Sequence, residues 1–479
     1  MKLLPTIVRL AAGALLLLGV ASSQVRLDMA APKASWAEWL RGEPVELHGN
    51  EAATRLTLVA FYGQLPHLLA GDVEYLQRLG RQWGGLGLRV VVVVGDRELP
   101  AIGELVDGSV VLDDHGRTEK AWLRVPPVHH RNLVAVDDMG VVVFAGAPGC
   151  GVADLLHREL AGNTDRRHEE EARAWRLQLV EGYDDLAGGP TVALLAPLVE
   201  RSPRDGLLSG LLYLTYATKA NDLAAATRLR RRSIRQMADE PRALAVFADL
   251  AMRGDPRRPA VVADLRPALE RAAKSAPRDP FVQLALLRAQ VAAGDGRAAG
   301  RQAMRCRKLV VATADGCLDF ATLLAHDQTP MIHRDLAESA VRRAAELGAD
   351  ERLVAAARYV VTLRCGEDRE AAASQLAGYL KSRDAFHELN NDAWHLLTQL
   401  PTMGRYDWFA VGLVELMLKG RATMDYFEFD TAALAMFLVG RTGDAIELQE
   451  TALKQGGDQE AEYRDRLRRY QAYRAASPR

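Results

Sequence analysis

The strongest constraint in this chain is a change of period near residue 162. Before it, short apolar runs alternate with short amphipathic helices; after it, helical patterns follow one another without a strand signal. LTLVAFY (Leu56–Tyr62) and LRVVVVV (Leu88–Val94) are almost continuously apolar, the mark of strands buried on both faces. Between them Val73, Leu76, Leu79 and Trp83 recur at helical spacing, which predicts a helix over Gly71–Trp83. A strand–helix–strand unit of this kind pairs its strands in parallel through a right-handed crossover. A short strand at Val110–Leu112 follows and ends in the turn DDHGR. Asn132–Val136 and Val141–Phe144 flank DDMG, a hairpin signal in which Gly140 supplies the permissive backbone. Val152–Leu160 reads as a closing helix.

From Asp165 onward alanine and leucine rise, and turn marks recur about every 35–40 residues: DEP at Pro241, RDP at Pro280, ADG at Asp315, GAD at Asp350, NND at Asn391 and FD at Asp430. Such an interval suits stacked helix pairs, whose period runs from about 34 residues to the mid-forties. The Gly-Asp-Gly turn at 294–296 separates two helical patterns, and Ala298, Ala299 and Ala303 let neighbours approach closely. Each pair must stack on the next to bury its apolar face. The charged and aromatic stretch Ala461–Tyr473 suits a solubilising cap. The expected fold is an α/β domain over 36–162 followed by an all-α solenoid over 165–479.

At 479 residues, with 49% hydrophobic and 26% charged side chains, the chain can bury two or three cores. A formal net charge of −1 argues against a nucleic-acid partner, whose recognition needs a basic surplus. The basic run RLRRRSIR (Arg228–Arg235) has Leu229, Ile234 and Met237 on a helical spacing and reads as a solvated helix face. Residues 1–23 place Lys2 and Arg9 ahead of an apolar core, Leu10–Val20, and the small residues Ala21, Ser22 and Ser23. That is the layout of a secretory signal peptide; the core is short for a stable membrane span. Export to the periplasm or cell envelope of a bacterium is the expectation, and it makes disulfides chemically accessible. Cys150, Cys306, Cys317 and Cys365 form no C-x-x-C pair; Cys306 and Cys317 could join one helix to the next.

LRGEPVELHG (Leu40–Gly49), LTLVAFY, VVVVVGD, VLDDHGRTEKAWLRV and NLVAVDDMGVVVFAG together resemble a redoxin, from the extracytoplasmic thioredoxin-like and peroxiredoxin-like superfamily. ELNNDAWHLLT and GDAIELQETAL are similar to tetratricopeptide-like repeats of exported bacterial proteins. The resemblance implies a thioredoxin-like domain with its reactive loop directly after Tyr62. That loop holds Gly63, Gln64, Leu65, Pro66 and His67, with no sulfur from Gly63 to Ala70. Arg131 stands where the family's cis-proline normally lies, and peroxiredoxins place an arginine comparably to support a thiolate.

Dithiol exchange needs an attacking thiolate and a second, resolving thiol. Without either in the loop, the residues favour a redox-inactive protein that needs no cofactor and binds a protein or peptide partner through its repeats. The rival is a divergent thiol–disulfide oxidoreductase or peroxidase-like enzyme using Cys150 or a partner's cysteine. His67, His129 and His130, with His115 outside them, are candidates for a metal site, against solvated loop histidines. Trp394, Tyr406, Trp408, Tyr426, Phe427 and Phe429 read as inter-helix core, with a peptide groove as the alternative.

Overall fold

The computed structural model describes residues 30–45 (except 33, 35 and 43), 54–62, 70–95, 109–113, 117–122, 132–160, 188–254 (except 221), 258–325 (except 311 and 312), 334–381 (except 367), 386–399, 402–420, 424–456 and 460–476. The chain divides into two compact units, 1–174 and 175–479.

The N-terminal unit is built on one mixed sheet of six strands: β1 (Trp36–Arg41), β2 (Leu56–Tyr62), β3 (Leu88–Val94), β4 (Ser109–Asp113), β5 (Asn132–Asp137) and β6 (Val142–Gly146). Their order across the sheet is β1-β4-β3-β2-β5-β6. β2 and β3 pair in parallel from Leu56↔Leu88 to Tyr62↔Val94, and β3 pairs in parallel with β4. β5 runs antiparallel to β2, and β6 antiparallel to β5. In the hairpin between them the Asp137 carboxylate accepts from the Met139 and Val141 N–H groups at 3.0 and 2.8 Å, and Gly140 has φ +75°. β1, antiparallel to β4, has no counterpart in the sequence reading.

Both faces of this sheet are covered, which explains why β2 and β3 are continuously apolar. On one face Leu58, Ala60, Val90 and Val92 meet Val73, Leu76 and Leu79 of α1 (Ala70–Trp83) and Leu155 and Leu156 of α3 (Val152–Leu160). On the other, Val59, Phe61, Val91 and Val93 pack with Trp122 of α2 (Arg117–Trp122). The Phe61 and Trp122 rings lie 5.5 Å apart.

The second unit is mostly helical. It comprises α4 (Gly188–Arg201), α5 (Gly206–Leu214), α6 (Leu223–Gln236), α7 (Pro241–Gly254), α8 (Arg258–Ser275), α9 (Pro280–Ala292), α10 (Gly296–Val310), α11 (Ala314–Leu324), α12 (Arg334–Glu346), α13 (Glu351–Cys365), α14 (Arg369–Lys381), α15 (Phe386–Thr398), α16 (Asp407–Gly420), α17 (Tyr426–Leu438), α18 (Thr442–Gln455) and α19 (Glu460–Ala476). Short polar side chains start them. Asp205, Asp279 and Asp350 accept from backbone N–H groups of the first turns of α5, α9 and α13, and Thr313 does so for α11.

Alternate helices form a row, α5 against α7, α7 against α9, α9 against α11 and α11 against α13. In this row α9 is buried without a break from Val282 to Val291. Its neighbour α10 buries one face only: Ala298, Ala299, Gln302, Ala303, Cys306 and Val310. Four of the six turn marks fall at helix starts: Pro241 and Pro280 open α7 and α9, Asp315 lies in the first turn of α11, and Asp350 caps α13. The other two do not. Asn391 lies inside α15, and Asp430 is buried inside α17, where it accepts from Gln449 at 2.8 Å and pairs with Arg466. A polar group that reads as a turn from sequence is here an internal partner for two later helices.

The basic run also divides in the structure. Arg228, Arg231 and Arg235 are exposed on α6, as a solvated face requires. Arg230 is buried, 2.6 Å from Asp264 and within reach of the Tyr213 hydroxyl. Among the described residues no helix is long and apolar enough to cross a membrane. Residues 1–23 lie outside the described residues.

Candidate functional site

The register of the sheet gathers three segments at one edge. Phe61, near the end of β2, lies opposite Asn132 at the start of β5; Leu133 lies opposite Gly146 at the end of β6. The turn that carries Cys150 leaves β6 from this edge, with Gly149 and Gly151 at φ +82° and +89°. Cys150 is buried, and its Sγ donates to the Pro148 carbonyl at 4.0 Å. The remaining expected site residues, Gly63, Gln64, Leu65, Pro66, His67, His115, His129, His130 and Arg131, lie outside the described residues. Among the described residues no group of three or more histidine, cysteine or acidic side chains is placed to hold a metal ion.

Cys306 and Cys317 are unbonded thiols in the structure, as is Cys365. Each is occupied locally instead. Cys306 Sγ accepts from Gln302 at 3.8 Å, Cys317 Sγ donates to the Val310 carbonyl at 3.5 Å, and Cys365 Sγ donates to the Leu324 carbonyl at 3.6 Å. Burial pushes the Cys306 thiol up to about 12 and those of Cys317 and Cys365 up to about 11. A thiol so hard to ionise is a poor nucleophile, so these three behave as small core residues.

The most unusual chemistry lies in the helical unit, where α7, α9, α11 and the turn before α16 converge. Asp249 and Arg253 stand one turn apart on α7: Arg253 Nε donates to Asp249 Oδ1 at 3.0 Å, and Arg253 Nη2 lies 2.7 Å from Oδ2. Arg288 of α9 donates from Nη2 to Asp319 Oδ1 of α11 at 2.6 Å, with its Nε 2.9 Å from Asp249 Oδ1. Arg253 Nη2 reaches Asp319 Oδ2 at 3.5 Å, and Arg405 Nε stands 3.2 Å from Asp319 Oδ1. Two of these approaches are close but misaligned: among the described residues Arg288 Nε and Arg405 Nε make no hydrogen bond despite their short distances. The ion-pair distances report charge proximity; the failed alignment reports that two carboxylates serve three guanidiniums.

The electrostatics follow. Burial by itself would raise the Asp319 carboxyl, but Arg405, Arg288 and Arg253 outweigh it and hold it well below the usual carboxylate range. Burial, reinforced by the positive charge of Arg405, lowers Arg253 to about 10. Next to the cluster, Tyr406 is buried with a hydroxyl that has no partner among the described residues, and burial pushes its ionisation up.

One glycine makes this convergence possible. Gly404 has φ +72°, and a Cβ there would sit 3.0 Å from the Arg253 Cβ and 3.2 Å from the Arg253 carbonyl oxygen. The turn Thr402–Tyr406 can therefore lie directly on α7 and present Arg405 to α11. At the far end of the unit, Arg469 of α19 donates to the Thr218 carbonyl just after α5 at 3.1 Å. Late segments of the unit thus rest on its early helices.

The aromatic set is distributed through this packing. Tyr406 is buried, Trp408 lies under the Arg364 guanidinium at 4.4 Å, and Trp394 under that of Arg466 at 5.2 Å. Phe429 packs on the core, Tyr426 meets Phe427 edge-on, and Phe427 remains exposed. The charged cluster was not foreseen. Its signal is Arg288 within LALLRAQVA and Asp319 within GCLDFATLL, single charges inside otherwise apolar helical stretches. Comparison with known proteins finds no family model and no curated protein that matches this chain.

Proposed function

We propose that the chain is an exported binding or scaffolding protein. On this reading a thioredoxin-like, redoxin-type unit that lacks its redox thiols is joined to tetratricopeptide-like helical repeats. The single observation that carries the reading is the sulfur-free stretch Gly63–Ala70 at the end of a central parallel strand. The mixed sheet, with α1 and α3 on one face and α2 on the other, supports the redoxin part of this reading. The row of alternate helices in the second unit supports a repeat array. Dithiol exchange cannot begin where no thiolate is available. The repeats are the proposed partner surface, with a protein or peptide as the ligand. Because Thr402–Tyr406 covers α7, the outward helix faces are better placed for that role than the side of the row that this turn covers. The layout of residues 1–23 supports export to the periplasm or cell envelope of a bacterium.

A second reading has one observation in its favour: the Cys150 turn leaves the sheet from the edge where β2 ends. An oxidoreductase or peroxidase-like enzyme would draw on that thiol. Insulin reduction and peroxide consumption by the full chain, with Cys150→Ser beside it, separate the two. No turnover by either protein is the expected result; turnover lost in Cys150→Ser replaces the binding reading with the enzymatic one.

A further inference from the structure

We propose that the buried arginine cluster of the helical unit holds a single-atom anion, chloride, between Arg253 and Arg288. The inference stands apart from the function proposed above and does not depend on it.

A cavity of about 20 Å³ adjoins the cluster, lined by Met252, Arg253, Arg288, Val291, Leu323 and Gly404. A space of this size admits a water-sized particle. Chloride fits that description, whereas phosphate, sulfate and carboxylates are several atoms across. The wall chemistry is equally selective. Its two charged side chains are both guanidiniums, and the rest of the lining is one methionine, aliphatic side chains and glycine. A cation or a neutral donor would find no acceptor side chain in that wall.

The charge balance points the same way. Asp249 and Asp319 carry two negative charges, and Arg253, Arg288 and Arg405 carry three positive ones. Among the described residues, the contacts of Arg253 and Arg288 to carboxylates use Nε or Nη2, which leaves both Nη1 groups uncommitted there. Asp315, which also acts on Arg405, is exposed at the start of α11 and makes no ion pair with the cluster among the described residues, so water screens it. A buried excess charge is costly unless a counter-charge meets it, and a halide beside two guanidiniums supplies one.

The test is thermal unfolding of the full chain in sodium chloride, sodium gluconate and sodium phosphate at matched ionic strength. Chloride is expected to raise Tm saturably, by about 2–4 °C at ten times its dissociation constant, with no comparable rise in gluconate or phosphate. Arg288→Met should abolish the chloride increment. Asp249→Asn removes a competing carboxylate and should enlarge it. Equal shifts in all three salts mean ionic screening and overturn the proposal, and a larger shift in phosphate overturns the single-atom claim. If Arg288→Met does not fold, crystals of the full chain grown in sodium bromide decide the matter. An anomalous peak between Arg253 and Arg288 supports the site; a featureless cavity there sinks it.

Discussion

The two units solve the problem of a unique core by different means. The sheet faces are filled by aliphatic and aromatic side chains, and Val91–Val94 and Leu58–Phe61 are almost completely buried. Strand register there is set by the side-chain alternation itself, because a slip of one residue moves every side chain to the opposite face. Stacked helices offer no such safeguard, since their apolar ridges fit one another in several offsets. The helical unit places paired charges between helices instead: Arg230 with Asp264, Arg242 with Asp279, Arg466 with Asp430, and the cluster on Asp319. Each pair is satisfied in one offset and strands a buried charge in the others. The comparison teaches that polar groups in a core can carry positional information without adding much net stability.

The largest test of that contrast is Asp319→Ala, which leaves three buried guanidiniums facing one remaining carboxylate. A loss of about 3–5 kcal/mol is expected, read from the urea midpoint of the full chain. Trp122→Ala on the sheet should cost a comparable ~3–5 kcal/mol through lost contact alone, and its effect should be independent of pH between 3 and 8. The two should therefore separate on acidification. Asp319 ionises far below its unfolded value of about 3.9, so its contribution is fully present above that value and fades as pH falls toward the folded one. Urea midpoints measured from pH 6 down to pH 3 should fall less steeply in Asp319→Asn than in the parent chain; parallel curves would remove the electrostatic explanation.

Arg242→Met comes next. Its guanidinium is 2% exposed and 2.5 Å from the Asp279 carboxylate, which also caps α9. Leaving that carboxylate without its cation should cost about 3 kcal/mol, checked by the same denaturation. A smaller effect, about 1–2 kcal/mol, is expected for Gly404→Ala, from the left-handed backbone and the pressure on Arg253. The smallest signal is chemical. Native protein at pH 8 should leave Cys306, Cys317 and Cys365 unmodified by a water-soluble disulfide reagent, and urea should release all three together. Fast native labelling at any of them would contradict the burial that keeps their thiols protonated.

Much of the first unit can be read from the chain. LTLVAFY and LRVVVVV fall on β2 and β3, the helix between them begins one residue earlier than its apolar spacing suggests, and DDMG makes the expected hairpin. These features depend on neighbours in sequence, where period and turn chemistry are explicit. β1 escapes because WAEWLR mixes tryptophan with charges, and only an edge position beside β4 makes it a strand. In the second unit the helices are legible and their partners are not. Asn391 and Asp430 carry a turn's composition within helices, and a residue's chemistry does not say whether it faces a solvent turn or a distant arginine.

The order of residues by itself determined where strands give way to helices, where four of the later helices begin, and that no sulfur follows Tyr62 before Asp72. These are consequences of local periodicity, capping and covalent identity. Tertiary structure alone decided that Asp249, Arg253, Arg288, Asp319 and Arg405, spread over more than 150 positions, would share one buried site. That decision required α7, α9 and α11 to stack and a glycine turn to come within contact of Arg253. Long-range electrostatics has no period to betray it; it exists only once the chain has folded back on itself.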